Sequence, residues 1–275
     1  MAINETVLEM HYHKPLMDFF REAIGLGKRG VNFYKYSPQK EVFVGFDQAY
    51  AMTELSDDAF FEMLKESSTK ADYKLPKKFL AVFLQFKVVK AMSNIQKITP
   101  PGITNKPHYR SKLDTAKNQN TGFSQHELLF KLNKNDGAMV FYACPMIFDK
   151  SLLYEVNVNL DKLVLVDVDS SPSQYSDNET HYIFFNDQEE PPVWCSDPVQ
   201  GKRISVKELA EQMVNVLDDL DTTESSARVL KQLTHIRNLV ESEQMGAPFG
   251  NELKERPFSI VHDSLMIIEV VENRV

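Results

Sequence analysis

The alternation of apolar and polar side chains divides the first 150 residues into a short series of elements. Residues 5 to 24, ETVLEMHYHKPLMDFFREAI, set Leu8, Tyr12, Leu16, Phe19, Phe20 and Ala23 at helical spacing. The spacing predicts a helix that Pro15 kinks or delays and that Gly25, Gly27 and Gly30 end. GVNFYKYS (30 to 37) and EVFVGFDQAY (41 to 50) read as strands. SDDAFFEMLKES then offers Ser56 as a cap with Asp57 and Asp58 in the first turn, the charge a helix N-terminus favours. FLAVFLQFKVVKAM (79 to 92) is the strongest strand signal in the chain. Residues 98 to 122 read as a long polar loop, a length that is usually functional or disordered. Ser124 and Glu127 form a capping box that opens the helix SQHELLFKLNK, and GAMVFYACPMIF (137 to 148) is a buried strand.

Counting the 56 to 67 helix as an insertion, the order is helix, three strands, helix, strand. This predicts an α/β core whose last strand–helix–strand step is a parallel pair with a right-handed crossover. Beyond 150, KLVLVDV (162 to 168) and HYIFFN (181 to 186) read as strands, and DQEEPPVWCSDPVQG as a turn-rich connector. Ser205 and Glu208 form a second capping box before a helix, residues 223 to 243 suit another, and SLMIIEVVE suits a strand or a helix. The division expected is a core over 1–150 and a C-terminal extension over 151–275.

Length allows one large domain or a domain with an appendage, since 275 residues bury a good core. No apolar run is long enough to span a bilayer, and MAINETVLEMHYHK lacks a signal-peptide layout, so the expectation is a cytoplasmic protein with no membrane contact. Cys144 and Cys195 are far apart and form no CxxC, which argues against a zinc site or a disulfide framework.

The net charge of −8 hides an asymmetry. Between Lys70 and Lys134 there are 13 Lys and Arg against three acids, Asp72, Asp114 and Glu127. This window is therefore +10, and the rest of the chain carries −18. A cationic middle in an anionic chain suits a local polyanion patch, phosphate backbones first among the candidates.

Candidate chemistry lies on two strands. Alternation puts Glu41, Phe43, Gly45, Asp47 and Ala49 on one face, with Gly45 leaving room beside Asp47. On the later strand Phe83, Gln85 and Lys87 share a face. Polar groups in apolar strands cost burial energy unless they are paired or hold a metal. Neighbouring strands would bring Asp47, Gln85 and Lys87 together at one end of a sheet. Mg²⁺ takes oxygen ligands and keeps several waters, and a lysine beside it can steady charge building on a phosphate. A structural Asp47–Lys87 salt bridge is the simpler use of the same residues.

The αβββαβ order, with GFD on one strand and QFK on a later one, resembles the restriction-endonuclease-like, PD-(D/E)xK, nuclease superfamily. The likeness is to bacterial members with GYD and QxK, often associated with defence against phage, and it covers residues 5 to 148. It implies a restriction-endonuclease-like αβββαβ core with a mixed sheet, plus a C-terminal β/α extension. Asp47 would be the metal-binding aspartate, Gln85 stands where the family has Glu or Asp, and Lys87 is the motif lysine. Glu9 would be the acid some members add from the first helix, with Glu41 as a supplementary ligand. Gln125 resembles a glutamine that some members place beside the site, where it would also touch nucleic acid. The neutral Gln85 lowers the charge available to a metal, and the Asp47 to Gln85 spacing is wide.

The function implied is a Mg²⁺- or Mn²⁺-dependent endonuclease acting on DNA ahead of RNA, in a defence setting. KPHYRSKL would help hold the strand, Lys106, His108, Tyr109, Arg110 and Lys112 combining backbone contact with base stacking. Residues 151–275 would serve a protein partner, a second subunit or a regulatory signal. The alternative is a catalytically degenerate nuclease-fold subunit that binds nucleic acid or protein. A cysteine hydrolase built on Cys144 and His126 is the remaining option, against the commoner role of a buried cysteine as core.

Overall fold

A computed structural model describes residues 3–25, 29–35, 57–69, 77–117, 123–154, 158–173, 175, 180–195, 198–245 and 265–272. In chain order the elements are α1 (Glu5–Gly25), β1 (Arg29–Lys35), α2 (Asp57–Thr69), β2 (Lys77–Phe86), β3 (Val89–Met92), β4 (His108–Lys112), α3 (Gln125–Asp136) and β5 (Met139–Pro145). They continue with β6 (Leu163–Asp167), β7 (Tyr182–Phe185), β8 (Val193–Trp194), β9 (Val199–Gln200), β10 (Arg203–Ile204), α4 (Val206–Asp219), α5 (Thr222–Met245) and β11 (Leu265–Glu272). No helix among the described residues is long and apolar enough to cross a membrane.

The fold is α/β. A six-stranded sheet runs β1-β11-β2-β5-β6-β10 and a five-stranded antiparallel sheet runs β3-β4-β7-β8-β9. In the larger sheet β1/β11, β11/β2, β5/β6 and β6/β10 are all antiparallel. Its mixed character therefore rests on the β2/β5 neighbours, which β3, β4 and α3 separate in sequence.

The chain forms two compact units that interleave along the sequence. One comprises Met1–Leu16, Leu84–Asn135 and Val140–Leu209; the other comprises Met17–Phe83, Asp136–Met139 and Ala210–Val275. In the second unit, β11 lies between β1 and β2 and resolves SLMIIEVVE as a strand, with Ile267, Ile268 and Val270 buried. Glu269, 1 % exposed, is compensated there by Lys77 at 2.8 Å. α2 packs on α5, which ties itself to β2 where Ser225 Oγ accepts from Phe79 N. Asp136 draws Lys231 to 3.2 Å and His235 Nδ1 to 2.9 Å.

In the first unit, two loop expectations are replaced by strands. FLAVFLQFKVVKAM is not one strand: β2 ends at Phe86, Lys87 and Val88 are irregular, and β3 begins the other sheet at Val89. Apolar residues flank this switch on both sides, so hydrophobicity gives no sign of it. HYRSK, inside the 98 to 122 stretch, becomes β4 because β3 and β7 pair with its two edges. The connector after 186 similarly forms β8 and β9.

Both capping boxes form. Ser124 N donates to Glu127 Oε2 at 2.8 Å while Glu127 N donates to Ser124 Oγ at 3.2 Å. Ser205 and Glu208 make the same exchange at 2.6 and 3.1 Å. α1 runs through Pro15 without a break.

Candidate functional site

Gln85 and Lys87 leave the end of β2 on the same side, at 5 % and 4 % exposure. An ammonium so buried is stable only if it is compensated. The backbone is fixed first, Lys87 N donating to Ala143 O of β5 at 2.9 Å. The Lys87 ammonium then lies 3.2 Å from the Glu5 carboxylate, in the first turn of α1. It also donates to Gln125 Oε1 at 3.2 Å. Gln125, fully buried at the start of α3, passes the chain on, its Nε2 donating to Gln85 Oε1 at 2.9 Å. Gln85 Nε2 in turn donates to Phe86 O at 3.2 Å.

The amide orientations follow from donor chemistry. Lysine can only donate, so Gln125 must present oxygen to it and nitrogen to Gln85. The Ser124–Glu127 box holds the first turn of α3, and with it Gln125. Three of these side chains are buried, whereas Glu5 keeps 43 % of its side chain exposed. The cluster thus reaches solvent through its acid.

Two neighbouring groups complete the setting. His126 is fully buried; its Nε2 lies 2.9 Å from Pro172 O and its Nδ1 3.0 Å from the Tyr142 hydroxyl. A carbonyl only accepts, so Nε2 carries the proton and Nδ1 accepts from Tyr142. Burial drives its pKa down to about 4 against the opposing bond to Pro172. Cys144 is fully buried, and burial pushes its thiol up to about 12 although the Lys87 charge opposes this. A neutral thiol and a neutral, fully engaged imidazole are poor components of a cysteine hydrolase.

Gln85, Lys87 and Gln125 are therefore brought together, while Asp47 and Glu41 lie outside the described residues. From α1, the acid at Lys87 is Glu5; Glu9, half-buried, is one turn further along. Glu5 was missed because residues four apart share a helix face, and periodicity does not choose between them.

In and just before β4, Lys106 and Lys112 are exposed and Tyr109 and Arg110 half-buried. His108 is 1 % exposed and stacks on Phe184, so it presents no surface to a ligand. Tyr109 stacks on Phe148 with centroids 4.8 Å apart. A separate cleft of about 500 Å³, lined by Ser170, Gln200, Gly201, Lys202, Arg203 and Glu208 among others, shares no residue with the buried cluster.

For a metal, the cluster offers oxygen donors, the type Mg²⁺ and Mn²⁺ take. They are one carboxylate, from Glu5, and amide oxygens already accepting hydrogen bonds. Among the described residues no group of three His, Cys, Asp or Glu is placed to hold a metal ion. The donor type fits; the donor number needs a further carboxylate such as Asp47. Compared with family models, curated proteins and solved structures, the chain shows no significant match to any.

Proposed function

We propose that the chain is a divalent-metal-dependent nuclease of the restriction-endonuclease-like class, hydrolysing phosphodiester bonds, in DNA ahead of RNA. The observation that carries this is the meeting of Gln85, Lys87 and Gln125 with an acid from α1, all four linked at 2.9 to 3.2 Å. The residues come from α1, the end of β2 and the start of α3, and three of them are those the family resemblance assigns to the site. Asp47 and the Glu5 carboxylate would hold the cation with Gln85 Oε1, and Glu9 or Glu41 would supplement them. A bound Mg²⁺ or Mn²⁺ supplies Lewis acidity toward the phosphate and a more acidic water.

The chain's own part is positioning. Gln125 and Glu5 restrict the Lys87 ammonium to one place, where a fixed positive charge would meet negative charge developing on the phosphate. The cationic 70 to 134 window would raise the local concentration of a polyanion. A role in defence against phage, with the region after 150 serving a partner or a trigger, is part of the same reading and rests on family analogy alone.

A second reading is favoured by Gln85 itself. As a neutral amide engaged by Gln125, it leaves the described cluster with one positive and one negative charge. A nuclease fold that kept its packing and lost its catalysis would become a binding subunit for nucleic acid or protein. Plasmid nicking separates the two. The nuclease reading expects Mg²⁺- or Mn²⁺-dependent nicking by the wild type that is lost in Lys87→Ala and Asp47→Ala. Wild-type protein that shifts DNA but never nicks it with either metal would favour the binding subunit.

A further inference from the structure

On one face of the five-stranded sheet three cations stand together, none of them ion-paired among the described residues. The β3/β4 register sets Lys90 directly opposite Arg110, and the β4/β7 register sets Lys112 opposite Tyr182. Alternation puts Arg110 and Lys112 on the same face, two residues apart. Like charges directly opposite on a sheet destabilise it. No carboxylate among the described residues lies within ion-pairing distance of these three, although Lys77, Lys87, Lys134 and Lys231 each have one.

Arg110 shows what kind of anion suits the face. Its guanidinium lies over the Tyr182 ring, 4.6 Å from the centroid. Two nitrogens of its edge are closed to a ligand: Nη1 donates to Gln96 Oε1 at 2.8 Å, and Nε is buried, with no acceptor among the described residues. A carboxylate is recognised through that edge, by the bidentate fork, so an acidic peptide gains little. What Arg110 offers is a flat cation stacked on an aromatic ring, which suits an unpaired base. Lys90 and Lys112 are exposed point charges on either side and suit phosphates. A duplex keeps its bases inside its own stack and cannot use the guanidinium plane.

We propose that the face formed by Lys90, Arg110, Lys112 and Tyr182 binds single-stranded polynucleotide, phosphates at the lysines and a base stacked against the Arg110–Tyr182 pair. This rests on the nuclease reading only in taking the polyanion to be a nucleic acid, and it assigns that reading a single-stranded substrate or overhang.

The test is fluorescence anisotropy with a labelled oligothymidylate of about 20 nucleotides in chelator, so that cleavage plays no part. The full chain is expected to bind it about tenfold or more tighter than a duplex of equal length, with polyglutamate a poor competitor. Arg110→Lys keeps the charge and loses the plane, so affinity should fall about tenfold with an unchanged salt dependence. Lys90→Gln with Lys112→Gln, both at exposed positions, should lower the slope of log affinity against log salt by roughly 1.4. Equal binding of duplex, effective competition by polyglutamate, or wild-type affinity in Arg110→Lys would each overturn the proposal. A silent nuclease site leaves the binding result standing, whereas an active nuclease with normal Arg110→Lys binding overturns this inference alone.

Discussion

Lys87 and Gln125, 38 residues apart in sequence, meet at 3.2 Å where the end of β2 faces the first residue of α3. The contact fixes more than the lysine. Once its oxygen serves the ammonium, the Gln125 amide has only its nitrogen to give, and Gln85 Oε1 takes it at 2.9 Å. An amide accepts at its oxygen and donates from its nitrogen, so one side chain serves both neighbours. The positions of Lys87 and Gln85 are thus coupled through one side chain.

That coupling predicts different losses from two substitutions at 125. Gln125→Leu strips the buried Lys87 of one acceptor and Gln85 of its donor, and should cost about 2 to 4 kcal/mol of stability. Gln125→Glu restores the acceptor for Lys87 yet sets a carboxylate against Gln85 Oε1, so its cost should be smaller, about 1 to 2 kcal/mol. Urea unfolding at neutral pH measures both. Equal costs for the two would mean that the relay from Lys87 to Gln85 is not what holds this corner.

Glu5 and Glu9 should respond differently to loss of charge. Glu5→Gln removes the carboxylate 3.2 Å from Lys87, and under the nuclease reading should reduce metal-dependent cleavage about tenfold or more. Its stability cost should be only about 1 kcal/mol, because 43 % of the Glu5 side chain is in water and screens the pair. Glu9→Gln should cleave close to wild type. Cleavage rates with saturating Mn²⁺ decide the matter; a greater loss at Glu9 would return the helix acid to that position.

How much of this was legible in sequence depends on the range of the interaction. Capping boxes at Ser124 and Ser205 are local hydrogen-bond chemistry and could be read directly. The side shared by Gln85 and Lys87 follows from strand alternation, and their burial from the apolar run around them. The break at Lys87 was not legible, because the chain changes sheets between two apolar stretches and the pairing partners lie far along the sequence. β4 escaped for the same reason: HYRSK has no strand pattern of its own and is a strand because β3 and β7 flank it. The choice of Glu5 over Glu9 needs three-dimensional packing, and the GFD segment lies outside the described residues.

Ser124→Ala tests whether the cap serves the site as well as the helix. Removing the hydroxyl that accepts from Glu127 N should cost about 1 kcal/mol. Gln125 is the next residue, so fraying of this turn should also loosen the Lys87 contact. Amide exchange in the first turn of α3 should then speed up more than elsewhere in the helix. A stability loss with unchanged exchange in that turn would separate the cap from the cluster.

Acid should destabilise the protein through His126. Burial holds this imidazole neutral, with its pKa lowered from the ordinary 6.5 to about 4. The unfolded chain therefore takes up a proton below 6.5 that the folded protein refuses until about 4. Stability from this group is complete above pH 6.5 and declines as pH falls toward 4, by on the order of 3 kcal/mol at about 1.4 kcal/mol per unit. Protonation would put a second N–H where Nδ1 now accepts from Tyr142, and would place a charge among buried rings. His13 and His108 are also lowered by burial and add to the same slope, so the wild-type profile alone is insufficient. The comparison is His126→Gln, which should be less stable at pH 7.5 and lose less between pH 6.5 and 4.5. Parallel profiles for the two proteins would show that the His126 proton is not what acid adds.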